Sequence, residues 1–230
     1  MTRGRTRPPS YDLKAAVEHV RQASPQMAAF VDQHGPCAMT THTLPPFEAL
    51  IQSIVYQQLT GRAAETILGR VLAIYAPKAF PSAEDVLATE DATLRAAGLS
   101  RAKVAAVKSL AEHTIAGNVP TRASAVRLSN EALIERLTKV RGIGRWTVEM
   151  FLMFGLSRPD VWPVLDYGVR KGLGRIYNKR QTPNAKQAAP FGRKFAPYSS
   201  VAAWYCWRAC EIKAEAPSGK KRQASQNQPR

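Results

Sequence analysis

Four residues, Arg141-Gly142-Ile143-Gly144, are the whole connection between two amphipathic segments, and they restrict the fold more than any other stretch. Upstream, Leu133, Ile134, Leu137 and Val140 recur at one-face helical spacing, with Asn130 the predicted N-cap. Downstream, Trp146, Met150, Met153 and Phe154 repeat that spacing until Gly155. Two glycines one residue apart permit positive φ and a tight return of the chain. The second helix begins at once, so its unpaired N–H groups and positive dipole end open out of the hairpin. That is an anion site made of backbone, and a phosphate fits it. An ordinary αα-hairpin also carries glycines at a helix end, and Gly-x-Gly alone does not separate the two readings.

The rest of the chain reads as helices too. Tyr11 to about Ala23 shows Leu13, Val17 and Val20 on one face. A loop follows until Pro45-Pro46 starts a helix with the stripe Phe47, Leu50, Ile51, Ile54 and Val55, ending in Gln57-Gln58-Leu59-Thr60-Gly61. Ala64, Ile67, Leu68, Val71 and Tyr75 mark the next helix, Ser82 starts another, and Asp91 to Ala97 a further one closed by Gly98. Ser100 caps a long helix to Gly117, and Asp166 opens one through Ile176. Residues 178–196, basic and proline-interrupted, hold at most one short helix, and Ala203, Trp204, Trp207 and Cys210 share a face of a C-terminal helix. No stretch alternates with period two, so the predicted class is all-α, with residues 1–10 and 215–230 disordered.

Lys plus Arg is 33 against 17 Asp plus Glu, a net charge of +16, which points to a polyanionic partner. The basic ends carry part of it, but Arg62, Arg70, Arg101, Lys103, Lys108, Lys139, Arg141, Arg145, Arg170, Lys171 and Arg175 lie inside the expected fold. Three cysteines, Cys37, Cys206 and Cys210, form no disulfide framework and fall short of the four thiolates of an iron–sulfur cluster. No apolar run of roughly eighteen residues exists to span a membrane, and the basic start lacks the apolar region of a secretory signal. The expected location is intracellular: cytoplasm and nucleoid in a bacterium, nucleus in a eukaryote.

The string Val140-Arg-Gly-Ile-Gly-Arg-Trp-Thr147, followed by the loop Ser157-Arg-Pro-Asp-Val-Trp-Pro-Val-Leu-Asp166, resembles the helix-hairpin-helix DNA glycosylases of the HhH-GPD superfamily. It is most similar to the branch that removes alkylated purines, in a compact form without an N-terminal α/β domain. The resemblance implies one domain over residues 11–214, with a contiguous lobe 47–140, a second lobe of 11–46 plus 141–214, and a cleft between them. The implied partner is double-stranded DNA containing a damaged base, bound by a monomer. No cofactor is implied beyond a structural Na+ or K+ on the hairpin carbonyls of Thr138, Val140 and Ile143.

Residue roles carry over at matching positions. Asp166 matches the catalytic aspartate; read from the sequence alone it is an N-cap for the helix that follows, and both roles are compatible. Trp146 stands where strand-cutting relatives carry a lysine that forms a Schiff base, so the implied enzyme uses water and leaves the strand intact. Trp146 and Trp207 match aromatic positions of the base pocket, with core packing an equal reading for Trp207. Tyr56 and Trp162 are further candidates for the cleft. Backbone phosphate contacts fall on Gly142, Gly144 and Thr147, with Arg141 adding charge where proline is usual. Gln58 matches the wedge that fills the gap left by a flipped base, while Leu59 is the more apolar plug. Asp160 reads as a turn residue and Glu149 as part of a solvated face. The competing functions are a glycosylase for a deaminated or mismatched base, and a non-catalytic DNA-binding protein that keeps only the hairpin.

Overall fold

A computed structural model of the chain describes residues 6–211. The expected disorder of residues 1–5 and of the basic tail lies outside the described residues. Residues 6–10, also expected to be disordered, are packed instead. Arg7 exchanges backbone hydrogen bonds with Thr41 (2.9 and 2.8 Å), and the Ser10 N–H donates to Ser157 Oγ at 2.7 Å. This lone bridge is the nearest thing to a sheet among the described residues.

All else regular is helical. The elements are α1 (Leu13–Gln22), α2 (Pro25–His34), α3 (Pro46–Tyr56), α4 (Gly61–Ala73), α5 (Ala83–Ala88), α6 (Asp91–Ala96) and α7 (Arg101–Ile115). Then come α8 (Arg122–Ala125), α9 (Asn130–Leu137), α10 (Arg145–Met150), α11 (Tyr167–Ile176), α12 (Ala185–Phe195) and α13 (Ser199–Glu211). Local chemistry sets most starts. Ser82 and Asp85 form a reciprocal capping box, Ser100 bonds the Lys103 N–H, and Pro46 occupies the first turn of α3.

Three expectations are corrected. Helix α2 lies where a loop was expected, although Ser24 caps it and Pro25 opens it. The cap of α9 is Ser129, which bonds the Ala132 N–H; Asn130 is inside the helix and donates to the Asp160 carbonyl. Helix α12 is a full eleven residues. Asn184 and Gln187 cap it reciprocally, and its internal Pro190 is tolerated in the second turn. On α13 the buried residues include Val201, Ala202, Tyr205, Cys206 and Ala209, while Trp204, Trp207 and Cys210 are only half-buried.

Beyond Met150 the helix widens into a π-helical turn, Phe151–Gly155, in which the Leu156 N–H reaches back five residues to Phe151 O (3.0 Å). The Arg122 guanidinium holds the end of that turn through the Gly155 carbonyl at 2.7 Å. Two close approaches then fix the architecture. The α9–α10 hairpin lies on α7: Gly142 has φ +80°, and a Cβ there would come 2.8 Å from the Ala106 Cβ. Helices α11 and α13 cross so closely that a Cβ on Gly172 would overlap the Cys206 carbonyl. Helices α1 and α2 pack beside this pair, α1 on α13 and α2 on α11.

Candidate active site

Gly144 is the N-cap of α10 and has no side chain to bond the first turn. The first backbone N–H in this turn to find an acceptor among the described residues is that of Val148, on Gly144 O at 3.2 Å. The N–H groups of Gly144, Arg145, Trp146 and Thr147 precede it, and such groups with their dipole form an anion seat. Arg141, exposed, donates its N–H to Ser109 Oγ at 3.2 Å, and the Gly142 carbonyl accepts from Gln57 Nε2 at 3.0 Å. The hairpin is therefore tied to α7 and to the turn after α3. At the hairpin carbonyls, Val140 O already accepts the Ile143 N–H at 3.1 Å.

Asp166 caps α11, accepting the Val169 N–H at 2.8 Å. Two indoles hold the same carboxylate: Trp146 Nε1 donates to Oδ2 at 2.7 Å and Trp207 Nε1 to Oδ1 at 3.0 Å. Indole N–H groups orient a carboxylate without neutralising it, since they carry no formal charge. No Lys or Arg forms an ion pair with Asp166 among the described residues, so its negative charge stays available. Gly168 makes the Trp207 contact possible: a Cβ there would sit 2.9 Å from Trp207 Cδ1 and 3.1 Å from Asp166 Oδ1.

Each indole also walls a hollow. Trp146, 45 % exposed, lines a cleft of about 430 Å³ with Tyr56, Gln57, Gln58, Thr147 and Met150. Trp207 lines one of about 310 Å³ with Phe154, whose ring centroid is 5.9 Å from its own. Asp166 thus lies one indole edge from both. Two larger hollows, about 510 Å³ beside Tyr177 and Phe191 and about 630 Å³ beside Phe47 and Arg122, have no wall residue bonded to Asp166. Trp162 lines neither indole-walled hollow: it packs on Phe195 and donates Nε1 to the Ala188 carbonyl at 3.0 Å. Asp160 is no local turn group either, because its carboxylate accepts from Ser199 Oγ on α13 at 2.5 Å.

The turn between α3 and α4 projects Gln58, at φ 58°, and Leu59, 38 % exposed. Lys103 on α7 supports it from beneath, donating to Val55 O at 2.7 Å and Gln57 O at 2.8 Å. Burial of that ammonium lowers its pKa. Its position in the sequence places Lys103 with the DNA-facing cations, yet its charge is committed to the fold. Lys108 likewise donates to the Leu87 and Thr89 carbonyls, and Arg175 to those of Ala209 and Cys210.

Glu149 is the clearest departure. Expected on a solvated face, it is 3 % exposed, with Oε1 bonded to Arg145 Nε at 3.0 Å and Oε2 without a partner among the described residues. Burial, partly offset by Arg145, raises its pKa. Core side chains lie directly on either side of it, Val148 and Met150, and the helix turns it inward with them.

Compared with known families, residues 51–197 match the HhH-GPD superfamily of base excision DNA repair proteins. The chain belongs to that superfamily. The "DNA-3-methyladenine glycosylase 1" of Schizosaccharomyces pombe is 41 % identical over 167 residues, 73 % of each chain. The structure of a Schizosaccharomyces pombe 3-methyladenine DNA glycosylase in complex with abasic DNA superposes with a TM-score of 0.77 at 37 % identity, covering 84 % of this chain and 95 % of that one. A Bacillus halodurans DNA-3-methyladenine glycosidase gives 0.78 at 31 % identity, over 90 % and 93 %. The helical architecture is the HhH-GPD one. The matched span takes in the Gln58 turn, the glycine hairpin and Asp166, but stops short of Trp207.

Proposed function

We infer that this HhH-GPD protein is a DNA glycosylase that hydrolyses the N-glycosidic bond of alkylated purines in base excision repair. The observation that carries the reading is the Asp166 carboxylate, held by two indoles between aromatic-walled hollows beside a glycine hairpin with open N–H groups. Relatives named as 3-methyladenine glycosylases support it.

The chemistry follows from the parts. A damaged base must leave the stack before any pocket reads it; Gln58 and Leu59, on a turn braced by Lys103, are the groups that would fill the gap. Backbone N–H groups of Gly142, Gly144 and Thr147, with Arg141 beside them, would seat a phosphate of the DNA backbone. A purine alkylated at N3 or N7 carries positive charge, and the faces of Trp146, Tyr56 and Trp207 would favour it by a cation–π term of about 0.5–2 kcal/mol. As the bond breaks, its electron pair neutralises the departing purine and the sugar becomes cationic. Asp166 stabilises that charge, which exists chiefly in the transition state, and accepts the proton of the water that adds to the sugar.

Trp146 cannot form a Schiff base, so the product is an intact strand with an abasic site. Hairpin carbonyls of Thr138, Val140 and Ile143 are neutral oxygen donors of the kind that suit an alkali ion, which would steady the turn without entering the reaction. We expect a monomer, acting in the compartment that holds the genome.

The test uses methylated duplex DNA. The protein should release 3-methyladenine and 7-methylguanine with no strand breaks before alkali, and Asp166→Asn should abolish release while keeping affinity for abasic DNA. Undiminished release by that variant would overturn the assignment of Asp166, and borohydride trapping of a covalent adduct would overturn the water mechanism.

A further inference from the structure

The first turn of α10 has two demands on it that conflict. Its N–H groups must stay unbonded for a phosphate to rest on them. The same turn must also hold Trp146 still, because the indole N–H lies 2.7 Å from Asp166 Oδ2. In most helices of this chain a side chain secures the first turn, as Ser24, Ser82, Ser100, Ser129 and Asp166 do by bonding N–H groups there, whereas α3, α4 and α6, like α10, have no such bond. Gly144 offers no such bond, and Trp146 is 45 % exposed, so packing alone does not fix it.

Something else grips this turn. Arg145, immediately before Trp146, reaches across the hairpin to Glu131 in the first turn of α9, with Nη2–Oε1 at 2.8 Å and Nη1–Oε2 at 3.2 Å. Its Nε meanwhile donates to Glu149 Oε1 at 3.0 Å, one turn further along α10. The hydrogen bonds Arg145 donates to Glu131, and to a lesser degree that to Glu149, raise the guanidinium pKa. Glu149 is buried with its second oxygen unpartnered, a costly arrangement that an apolar residue would avoid. A side chain kept there against that cost has work that an apolar residue cannot do.

We propose that Glu149 is a positioning residue: with Glu131 it fixes Arg145 across the hairpin in place of the missing N-cap, so that the turn presents Trp146 to Asp166 while its N–H groups stay open to phosphate. Two carboxylates and one guanidinium do what a capping serine does elsewhere, without covering the anion seat. The inference rests on the role assigned to Asp166 above.

Single-turnover release of 7-methylguanine from methylated duplex DNA tests it, with Asp166→Asn measured alongside. Glu149→Ala should slow release by about 10- to 100-fold, the scale of a small misplacement at a reacting centre. Glu149→Gln, whose amide oxygen still accepts from Arg145, should stay within about threefold of the parent. Glu131→Gln removes the charge on α9 from a side chain that is 73 % exposed, so folding is not at risk; it should slow release by about threefold or more. In a Trp146→Phe background neither Glu149→Ala nor Glu131→Gln should add more than about twofold, because the effect travels through Trp146. Parent-like rates for both variants, or equal losses with and without Trp146, would overturn the proposal, and if Glu149→Ala fails to fold, Glu131→Gln decides alone. An inactive Asp166→Asn beside unaffected Glu149 and Glu131 variants sinks only the brace, whereas an active Asp166→Asn removes the reading on which it stands.

Discussion

Trp146 and Asp166, twenty residues apart in sequence, are joined by a hydrogen bond of 2.7 Å from the indole Nε1 to Oδ2. The bond gives Trp146 a use beyond its aromatic face. Trp146→Phe keeps a ring for stacking and removes only the donor. A hydrogen bond to a charged group is worth about 1.5–3 kcal/mol, so single-turnover base release should fall by roughly 10- to 100-fold. Binding of abasic DNA should change little. An unaltered rate would mean that Trp146 serves by stacking alone.

Gly168 and Gly172 sit one turn apart on the face of α11 that meets α13. Gly168→Ala should push Trp207 off Asp166, since its Cβ would lie 2.9 Å from Trp207 Cδ1. Slower base release and an altered tryptophan emission are expected, with Tm nearly kept. Gly172→Ala collides with backbone at Cys206, which cannot rotate away, and should lower Tm sharply. If the two variants lose Tm equally, the distinction between site and scaffold glycine is wrong.

Lys103→Met should unmake the turn between α3 and α4, which we propose as the wedge. It strips the donor from the Val55 and Gln57 carbonyls, at a cost of about 1–3 kcal/mol in denaturant unfolding. The turn that carries Gln58 and Leu59 then loses its floor. A 2-aminopurine placed beside the lesion should show a smaller rise in fluorescence on binding; an undiminished rise would show that the turn needs no such support.

Stability should carry the mark of Glu149. Burial raises its carboxyl above the ordinary glutamate value of 4.5. Between that value and the raised one, the folded chain binds more protons than the unfolded chain. Stability therefore falls as pH rises through this window; the penalty is absent below it and complete above it. Glu149→Gln carries no such penalty. The difference in Tm, variant minus parent, should shift in favour of the variant between pH 4 and pH 8, and a constant difference would refute the sign.

The glycine hairpin is legible in the sequence because two glycines between amphipathic segments leave the chain few alternatives. Helices opened by Ser82 or Ser100 are legible for the same kind of reason. Helix α2 has its signal too, in Ser24-Pro25, but a weak apolar face hides it. The carboxylate clamp is not legible. Trp207 is 41 residues from Asp166, and only the α11–α13 crossing brings them together. The one trace of that crossing in the sequence is the pair Gly168 and Gly172 at helical spacing. Glu149 misleads because a charged residue beside core neighbours usually faces water. Its partner Arg145, four residues earlier, is the clue that it can turn inward. Charge counting also misleads, since Lys103, Lys108 and Arg175 look like DNA contacts yet hold carbonyls of the fold.

Helix α13 supplies the indole that steadies Asp166 from behind, and it is the last described element to be made. On the ribosome, the hairpin and the aspartate emerge long before Trp207 does. A chain still lacking α13 carries the hairpin and the aspartate but not the second indole, so the clamp on Asp166 closes only when α13 docks against Gly172.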